Sequence, residues 1–159
     1  MTDSTTFPTM AFIGGGNMAS AIIGGLIAKG VPASQILVVE PWDEARANLK
    51  KSFGIDALPA ASDALAKARL VVWAVKPQTF KDAAAATAQF THQAVHLSIA
   101  AGITSDSIAA WLSTDRIVRA MPNTPALVGK GMTGLFARPE VDAQGRALVE
   151  RVIATTGQS

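Results

Sequence analysis

The residues best suited to chemistry form a glycine-rich segment near the start of the chain. Residues 14–19, Gly-Gly-Gly-Asn-Met-Ala, match the pattern G-x-G-x-x-A and directly follow the apolar run Met10–Ile13. In this pattern the first glycine allows a sharp turn, the second lets main chain approach a pyrophosphate, and the small last residue lets strand and helix pack closely. The start of the following helix offers unpaired N–H groups to phosphates. The segment therefore predicts a dinucleotide site, and the alternative is a tight turn without a ligand.

An acidic residue follows at the distance expected for such a site. Glu40 lies about 20 residues after Ala19, where an acid bonds the 2′-OH of the adenosine ribose and favours NAD(H). The alternative is a solvated carboxylate at the end of a strand. Arg46 either meets the 2′-phosphate of NADP(H) or is an exposed helix residue, and Trp42 either lies against adenine or caps the sheet edge. The nucleotide preference stays open at this point.

Apolar runs alternate with helical patterns along the chain. Continuous apolar runs, such as residues 70–75, are typical of parallel strands covered on both faces. Residues 122–125, Pro-Asn-Thr-Pro, predict a loop. The alternation predicts an α/β fold, a Rossmann-like, doubly wound and mostly parallel sheet with helices on both faces. Strands are predicted at 10–13, 36–40, 70–75, 94–99, 116–120 and 131–137, and helices at 19–29, 43–53, 77–90, 104–112 and 141–152.

The composition excludes several classes of site. The chain has no Cys and no Tyr, which rules out a disulfide framework, a thiolate nucleophile, a cysteine zinc site and the tyrosine-dependent short-chain dehydrogenases. His92 and His96 are predicted to be a loop and a sheet histidine, so no metal site is expected. The net charge of +2 comes without a Lys/Arg cluster, so we expect no nucleic-acid partner.

Length and hydropathy favour a single domain. The 159 residues are 49% hydrophobic, enough for one core; we expect a flexible tail at residues 1–8 and one dinucleotide-binding domain at 9–159. The apolar runs are far shorter than the ~20 residues that span a bilayer, and no secretory signal is visible. The protein is therefore expected to be cytoplasmic and to have no membrane partner. Charged residues make up only 16%, below the roughly 25% usual for soluble domains, so some apolar surface is expected to meet a partner or a further part of the chain.

Four separated motifs carry a resemblance to a known family. They are residues 12–18 (FIGGGNM), 74–78 (AVKPQ), 98–103 (SIAAGI) and 119–131 (RAMPNTPALVGKG), in this order. Together they closely resemble pyrroline-5-carboxylate reductase, over nearly the whole chain from residue 10. The resemblance implies reduction of 1-pyrroline-5-carboxylate to L-proline by hydride from NAD(P)H, the last step of proline biosynthesis. The cofactor it implies is NADP(H), with NAD(H) as the open alternative.

The resemblance also implies which residues meet the ligands. The pyrophosphate meets residues 13–18, the riboses residues 74–77, and the nicotinamide residues 99–101, while a loop at residues 121–124 closes the reaction site. The alternatives without a ligand are an ordinary strand exit at residues 76–77 and an ordinary turn at residues 123–124. Together with Glu40 and Ser62 at the adenosine end, the cofactor-binding residues are Ile13, Gly14, Gly15, Gly16, Asn17, Met18, Ala74, Val75, Lys76, Pro77, Ile99, Ala100 and Ala101, and the substrate-proximal ones are Met121, Pro122, Asn123 and Thr124.

The implied reaction fits the lack of Tyr and of a well-placed His. Solvent can protonate a cyclic imine before hydride arrives, so catalysis needs mainly positioned reactants. Lys76 is then assigned to positioning the cofactor, and no catalytic residue is assigned. Other readings are a different NAD(P)-dependent imine or β-hydroxyacid reductase and a non-catalytic dinucleotide-binding module.

Two departures from the family pattern stand out. The family often carries Asn near residues 61–62, where it touches the adenosine end, whereas this chain has Ala61-Ser62; Ser62 is then the candidate at this place, and the nucleotide preference stays open. The family also has a helical domain that dimerises and binds the substrate carboxylate. We expect that domain to lie outside these 159 residues, the full-length protein to be a homodimer or higher homo-oligomer, and the isolated chain to be poorly active.

Overall fold

The computed structural model describes residues 8–99, 103–122 and 132–154. Within them, six strands form one sheet in the order β2-β1-β3-β4-β5-β6, parallel except for β6, which is antiparallel to β5. The strands are β1 Met10–Ile13, β2 Ile36–Val39, β3 Leu70–Trp73, β4 Val95–Ser98, β5 Ile117–Pro122 and β6 Met132–Ala137. The α-helices are α1 Asn17–Ala28, α2 Asp43–Phe53, α3 Pro77–Thr87, α4 Ser105–Leu112 and α5 Ala143–Ala154, with 3-10 turns at Ala33–Gln35, Asp63–Lys67 and Ala88–Phe90.

The ends of the helices follow from single residues. Gly54 ends α2 in the left-handed region, at φ +73, where glycine has no side chain to clash. Pro77 is the first residue of α3, a position where the missing N–H costs nothing. Thr104 caps α4, because its Oγ1 accepts the Ser107 N–H at 3.1 Å.

The helices cover both faces of the sheet. One core cluster joins α1, α2 and α5 to one face, through side chains such as Ile23, Leu49 and Val152. The other joins α3 and α4 to the opposite face, through Phe80 and Ile108. The predicted fold class, a doubly wound and mostly parallel sheet, is confirmed. In the part of the chain described, no helix has the length and apolar character needed to cross a bilayer.

The strand order reverses at β1. From β1 the chain first moves to β2 on one side and then crosses to β3 on the other. Ile13 therefore has Val39 on one side and Trp73 on the other. The crevice outside the carboxyl ends of β1 and β3 is the place where open α/β sheets bind ligands.

A short bridge extends the sheet beyond β2, and the sequence pattern did not predict it. Leu58 pairs in parallel with Val39. Its N–H donates to the Val38 carbonyl, and its own carbonyl accepts the Glu40 N–H, both at 2.7 Å. These bonds fix the main chain at the point where β2 leads into Glu40.

Several predicted boundaries differ from the structure. β3 ends at Trp73 rather than at Val75, and three residues then lead to Pro77, the first residue of α3. Lys76, the residue before this proline, is extended, at φ −67, ψ 150. The helix predicted at 77–90 ends at Thr87, and a 3-10 turn continues to Phe90.

The predicted loop at residues 122–125 is wrong for Pro122, which belongs to β5. Pro122 is aligned with Met132 of β6, after a shift in register between Met121 and Pro122. Pairing with β4 already ends at Ser98 and Arg119, so a residue without an N–H is accommodated at this irregular strand end. Residues 123–125 lie outside the described part of the chain.

Candidate functional site

Gly14 turns the chain sharply at the end of β1. Its φ is +98, and its N–H donates to the Val39 carbonyl at 2.8 Å. A Cβ built on Gly14 would lie 2.6 Å from the Ala74 carbonyl oxygen and 3.1 Å from Val75 Cγ1. Only glycine fits here, because the turn packs directly against the exit of β3.

Gly16 leaves the start of α1 open. It is the N-cap of α1, and no side chain of the described residues caps the helix there. A Cβ built on Gly16 would meet nothing within 4 Å, and the first turn of α1 carries no acidic residue. The space and the exposed helix N–H groups fit the phosphates of a dinucleotide.

The other residues predicted for the pyrophosphate differ in exposure. Ile13 is only 2% exposed, and its carbonyl accepts the Ala74 N–H at 2.8 Å, so it shapes the site through the main chain. Met18 is 41% exposed on α1, and Asn17 is the first residue of that helix. Ala19 is fully buried, which lets α1 start close against the sheet.

Glu40 bonds to the glycine-rich segment itself. Its Oε1 accepts the Gly15 N–H at 2.7 Å, and its Oε2 accepts the Trp42 N–H at 3.0 Å. The position of Glu40 was visible in the sequence, but its bond to a residue 25 positions earlier was not. The carboxylate is half-buried and held in place, unlike a freely solvated group at a strand end.

Arg46 and Trp42 flank this carboxylate in different ways. Arg46 Nη1 donates to the Glu40 and Pro41 carbonyls, each at 2.9 Å, and its Nη2 pairs with Asp43. The guanidinium thus holds the main chain that follows β2. Trp42 is 62% exposed, so it does not cap the sheet edge as one reading of the sequence had it.

The next strands place more of the predicted residues at the same edge. The Ile99 N–H donates to the Trp73 carbonyl at 3.1 Å, which aligns the end of β4 with the end of β3. Lys76 is exposed at the start of α3, and its carbonyl accepts both the N–H (3.0 Å) and Oγ1 (2.9 Å) of Thr79. Ser62 Oγ accepts the Ala64 N–H at 3.3 Å, so Ser62 caps a 3-10 turn.

Two of the remaining predicted site residues lie at the end of a strand, and four lie outside the described part of the chain. Met121 and Pro122 lie at the carboxyl end of β5. Ala100, Ala101, Asn123 and Thr124 lie outside the described residues.

The buried imidazole does not reach the strand ends. His96 lies inside β4, and its Nδ1 accepts the Trp73 indole N–H at 3.0 Å, while the Trp73 ring stacks on Phe80 at 4.7 Å. Burial lowers the pKa of His96 to about 4, opposed in part by the Thr91 main chain. His96 is therefore neutral at neutral pH and buried in the core. Among the described residues, no cluster of His, Asp and Glu is suited to a metal ion.

A groove of about 680 Å³ opens at the opposite edge of the sheet. Its walls come from residues that precede β1, β3, β4 and β5, and from α5. It carries charges of both signs, and it lies at the amino ends of the strands, away from the glycine-rich segment. Its charged residues are Arg69, Arg116, Glu140, Asp142 and Arg151.

Comparison with known proteins agrees with this geometry. Residues 9–102 match the family described as NADP oxidoreductase, coenzyme F420-dependent. The chain belongs to this family. It is 47% identical to the pyrroline-5-carboxylate reductase of Pseudomonas aeruginosa over 138 residues. The aligned segment covers 86% of this chain and 50% of that protein. With the Escherichia coli enzyme of the same name it is 40% identical over 153 residues, covering 94% and 57%.

Solved structures show the same likeness. A pyrroline-5-carboxylate reductase from Coxiella burnetii superimposes with a TM-score of 0.86 at 35% identity, covering 96% of this chain and 57% of that one. One from Plasmodium falciparum with NADP bound has a TM-score of 0.75 at 23% identity, covering 94% and 55%, and supports the fold alone. The resemblance predicted from the four motifs is confirmed. The chain spans about half the length of the curated relatives it matches.

Proposed function

We propose that this chain is the cofactor-binding part of an enzyme that reduces 1-pyrroline-5-carboxylate to L-proline. The observation that carries the proposal is the glycine-rich segment at the crevice between β1 and β3, where Gly14 packs on Ala74 and Gly16 leaves α1 open. The similarity to pyrroline-5-carboxylate reductases along 86–94% of the chain supports the substrate.

A nicotinamide cofactor held here would supply hydride for the imine carbon, and with a proton on the imine nitrogen C=N would become CH–NH. Its pyrophosphate is assigned to residues 13–18, and its adenosine end to Glu40 and Ser62. Its riboses are assigned to residues 74–77, with Lys76 in a positioning role, and its nicotinamide to residues 99–101. Because solvent can protonate a cyclic imine, the chain needs to supply orientation rather than an acid.

The surroundings of the reaction belong to the same proposal. Residues 121–124 are assigned to the substrate side of the nicotinamide, and residues 9–159 to one dinucleotide-binding domain. The family description names NADP, and NAD(H) is the alternative cofactor. The whole protein is proposed to be a cytoplasmic homo-oligomer.

The test is turnover by the whole protein that contains this chain. We expect oxidation of NADH or NADPH, followed by absorbance, that requires 1-pyrroline-5-carboxylate and yields L-proline. A reaction mixture without the pyrroline acid is the blank. Lack of turnover with both nucleotides, or faster reduction of other cyclic imines or of β-ketoacids (the reverse of hydroxyacid oxidation), would contradict the proposal.

A further inference from the structure

We propose that Glu40 gives this protein a preference for NAD(H) over NADP(H). The inference rests on the proposed dinucleotide site and names which form of the nucleotide fits it better. The inference concerns this chain and not the whole family, because the family description names NADP and the preference is argued from Glu40 of this chain.

The first observation is that the carboxylate is fixed in direct contact with the phosphate-binding segment. Glu40 receives the Gly15 N–H on Oε1 at 2.7 Å and the Trp42 N–H on Oε2 at 3.0 Å. From the described residues each oxygen receives one hydrogen bond, and a carboxylate accepts about four. A ribose hydroxyl can donate to such an oxygen, whereas a 2′-phosphate at the same place brings negative charge against it.

The second observation is that tight packing holds Glu40 close to the segment. A Cβ built on Gly15 would lie 2.8 Å from Leu49 Cδ1, 3.2 Å from Val38 Cγ1 and 3.4 Å from Glu40 Cβ. Leu49 and Val38 are core residues, 1% and 0% exposed. There is therefore no room for a side chain at Gly15, and its main chain lies close enough to the end of β2 for its N–H to reach the Glu40 carboxylate.

The third observation is that the nearby cation is already engaged. Arg46 donates to the Glu40 and Pro41 carbonyls and pairs with Asp43. Turning the guanidinium toward a 2′-phosphate would break these bonds. With the charge of Arg46 engaged in this way, the carboxylate of Glu40 is the group that favours the hydroxyl over the phosphate.

The experiment compares nucleotide binding by calorimetry in the wild type and two variants. For the wild type we expect NADH to bind at least about tenfold more tightly than NADPH, because the carboxylate repels the 2′-phosphate and solvent screens only part of that repulsion. In E40Q, an amide oxygen can still accept an N–H but the charge is gone, so the preference should shrink about tenfold. Glu44 is exposed four residues further on, and E44Q, the matched control with the same loss of charge, should keep the wild-type preference.

Each outcome has a distinct meaning. Equal or tighter binding of NADPH by the wild type overturns the role of Glu40 without touching the proposed reaction, and needs no variant to fold. An unchanged preference in E40Q, or an equal shift in E44Q, overturns it as well. If neither nucleotide binds, the proposed function fails and this inference with it. A preference for NADH in a protein that does not reduce the pyrroline acid supports Glu40 and rejects only the proposed reaction.

Discussion

Replacing Gly16 with alanine is expected to weaken NADH binding by at least about tenfold while lowering the free energy of unfolding by no more than about 1 kcal/mol. In the free protein the added methyl group meets nothing within 4 Å, and φ is −82, which alanine adopts without strain. Under the proposed assignment of the pyrophosphate to this segment, the same methyl would stand where phosphate oxygens approach the first N–H groups of α1. A charge-assisted hydrogen bond is worth about 1.5–3 kcal/mol, so losing one lowers the affinity about tenfold or more. The N-cap change accounts for the small loss of stability.

Gly14→Ala is the matched variant, because it adds the same methyl group two residues earlier. There the methyl would lie 2.6 Å from the Ala74 carbonyl oxygen, at a φ of +98. The free energy of unfolding should fall by about 2–5 kcal/mol, the sum of a left-handed non-glycine residue and an overpacked contact. Calorimetry for binding and urea denaturation for stability check both variants. A Gly16→Ala protein that binds NADH like the wild type would contradict the assignment of the phosphates to this segment.

Much of this site follows from local sequence signals, since a turn or a helix end is decided by a few neighbouring residues. The glycine-rich segment, the αL glycine after α2 and the proline that begins α3 each act within one turn of chain. Strands β1, β2 and β3 follow from continuous apolar runs, because a parallel strand covered on both faces has no polar side. Once these elements are in order, the doubly wound topology puts the ends of β1 and β3 together.

The features that the sequence did not reveal depend on contacts between distant residues. The bond from Gly15 to Glu40 and the indole bond from Trp73 to His96 join residues 25 and 23 positions apart. Leu58 adds a single bridge to β2, too short to leave an apolar run. Pro122 was predicted to be in a loop from its residue type, but the register shift between β5 and β6 accommodates it in the strand. Local propensity carries no information on such pairings.

The buried imidazole of His96 predicts how the stability of the fold depends on pH. Burial lowers its pKa to about 4 from an ordinary value of 6.5, so in the pH range between these values the unfolded chain binds a proton that the folded protein does not. The stability that the fold gains from holding this imidazole neutral is therefore fully present above pH 6.5, and it is lost as the pH falls toward 4. The free energy of unfolding should decrease by about 1.4 kcal/mol per pH unit over this range, about 3 kcal/mol in total. Urea denaturation followed by tryptophan fluorescence from about pH 8 to about pH 4 measures it.

Two variants separate His96 from the carboxylates that also titrate in acid. His96→Asn keeps an oxygen that can accept the Trp73 indole N–H but has no proton to gain, so its stability should fall less steeply between pH 6.5 and 4 than that of the wild type. His92 is exposed in the turn before β4, and His92→Asn should keep the wild-type slope. Equal slopes in all three proteins would show that the buried imidazole does not govern the acid sensitivity of the fold. Should His96→Asn not fold, a wild-type slope well below about 1 kcal/mol per pH unit near pH 6 would reject the prediction by itself, because about three-quarters of the unfolded imidazole is protonated there and few carboxylates titrate.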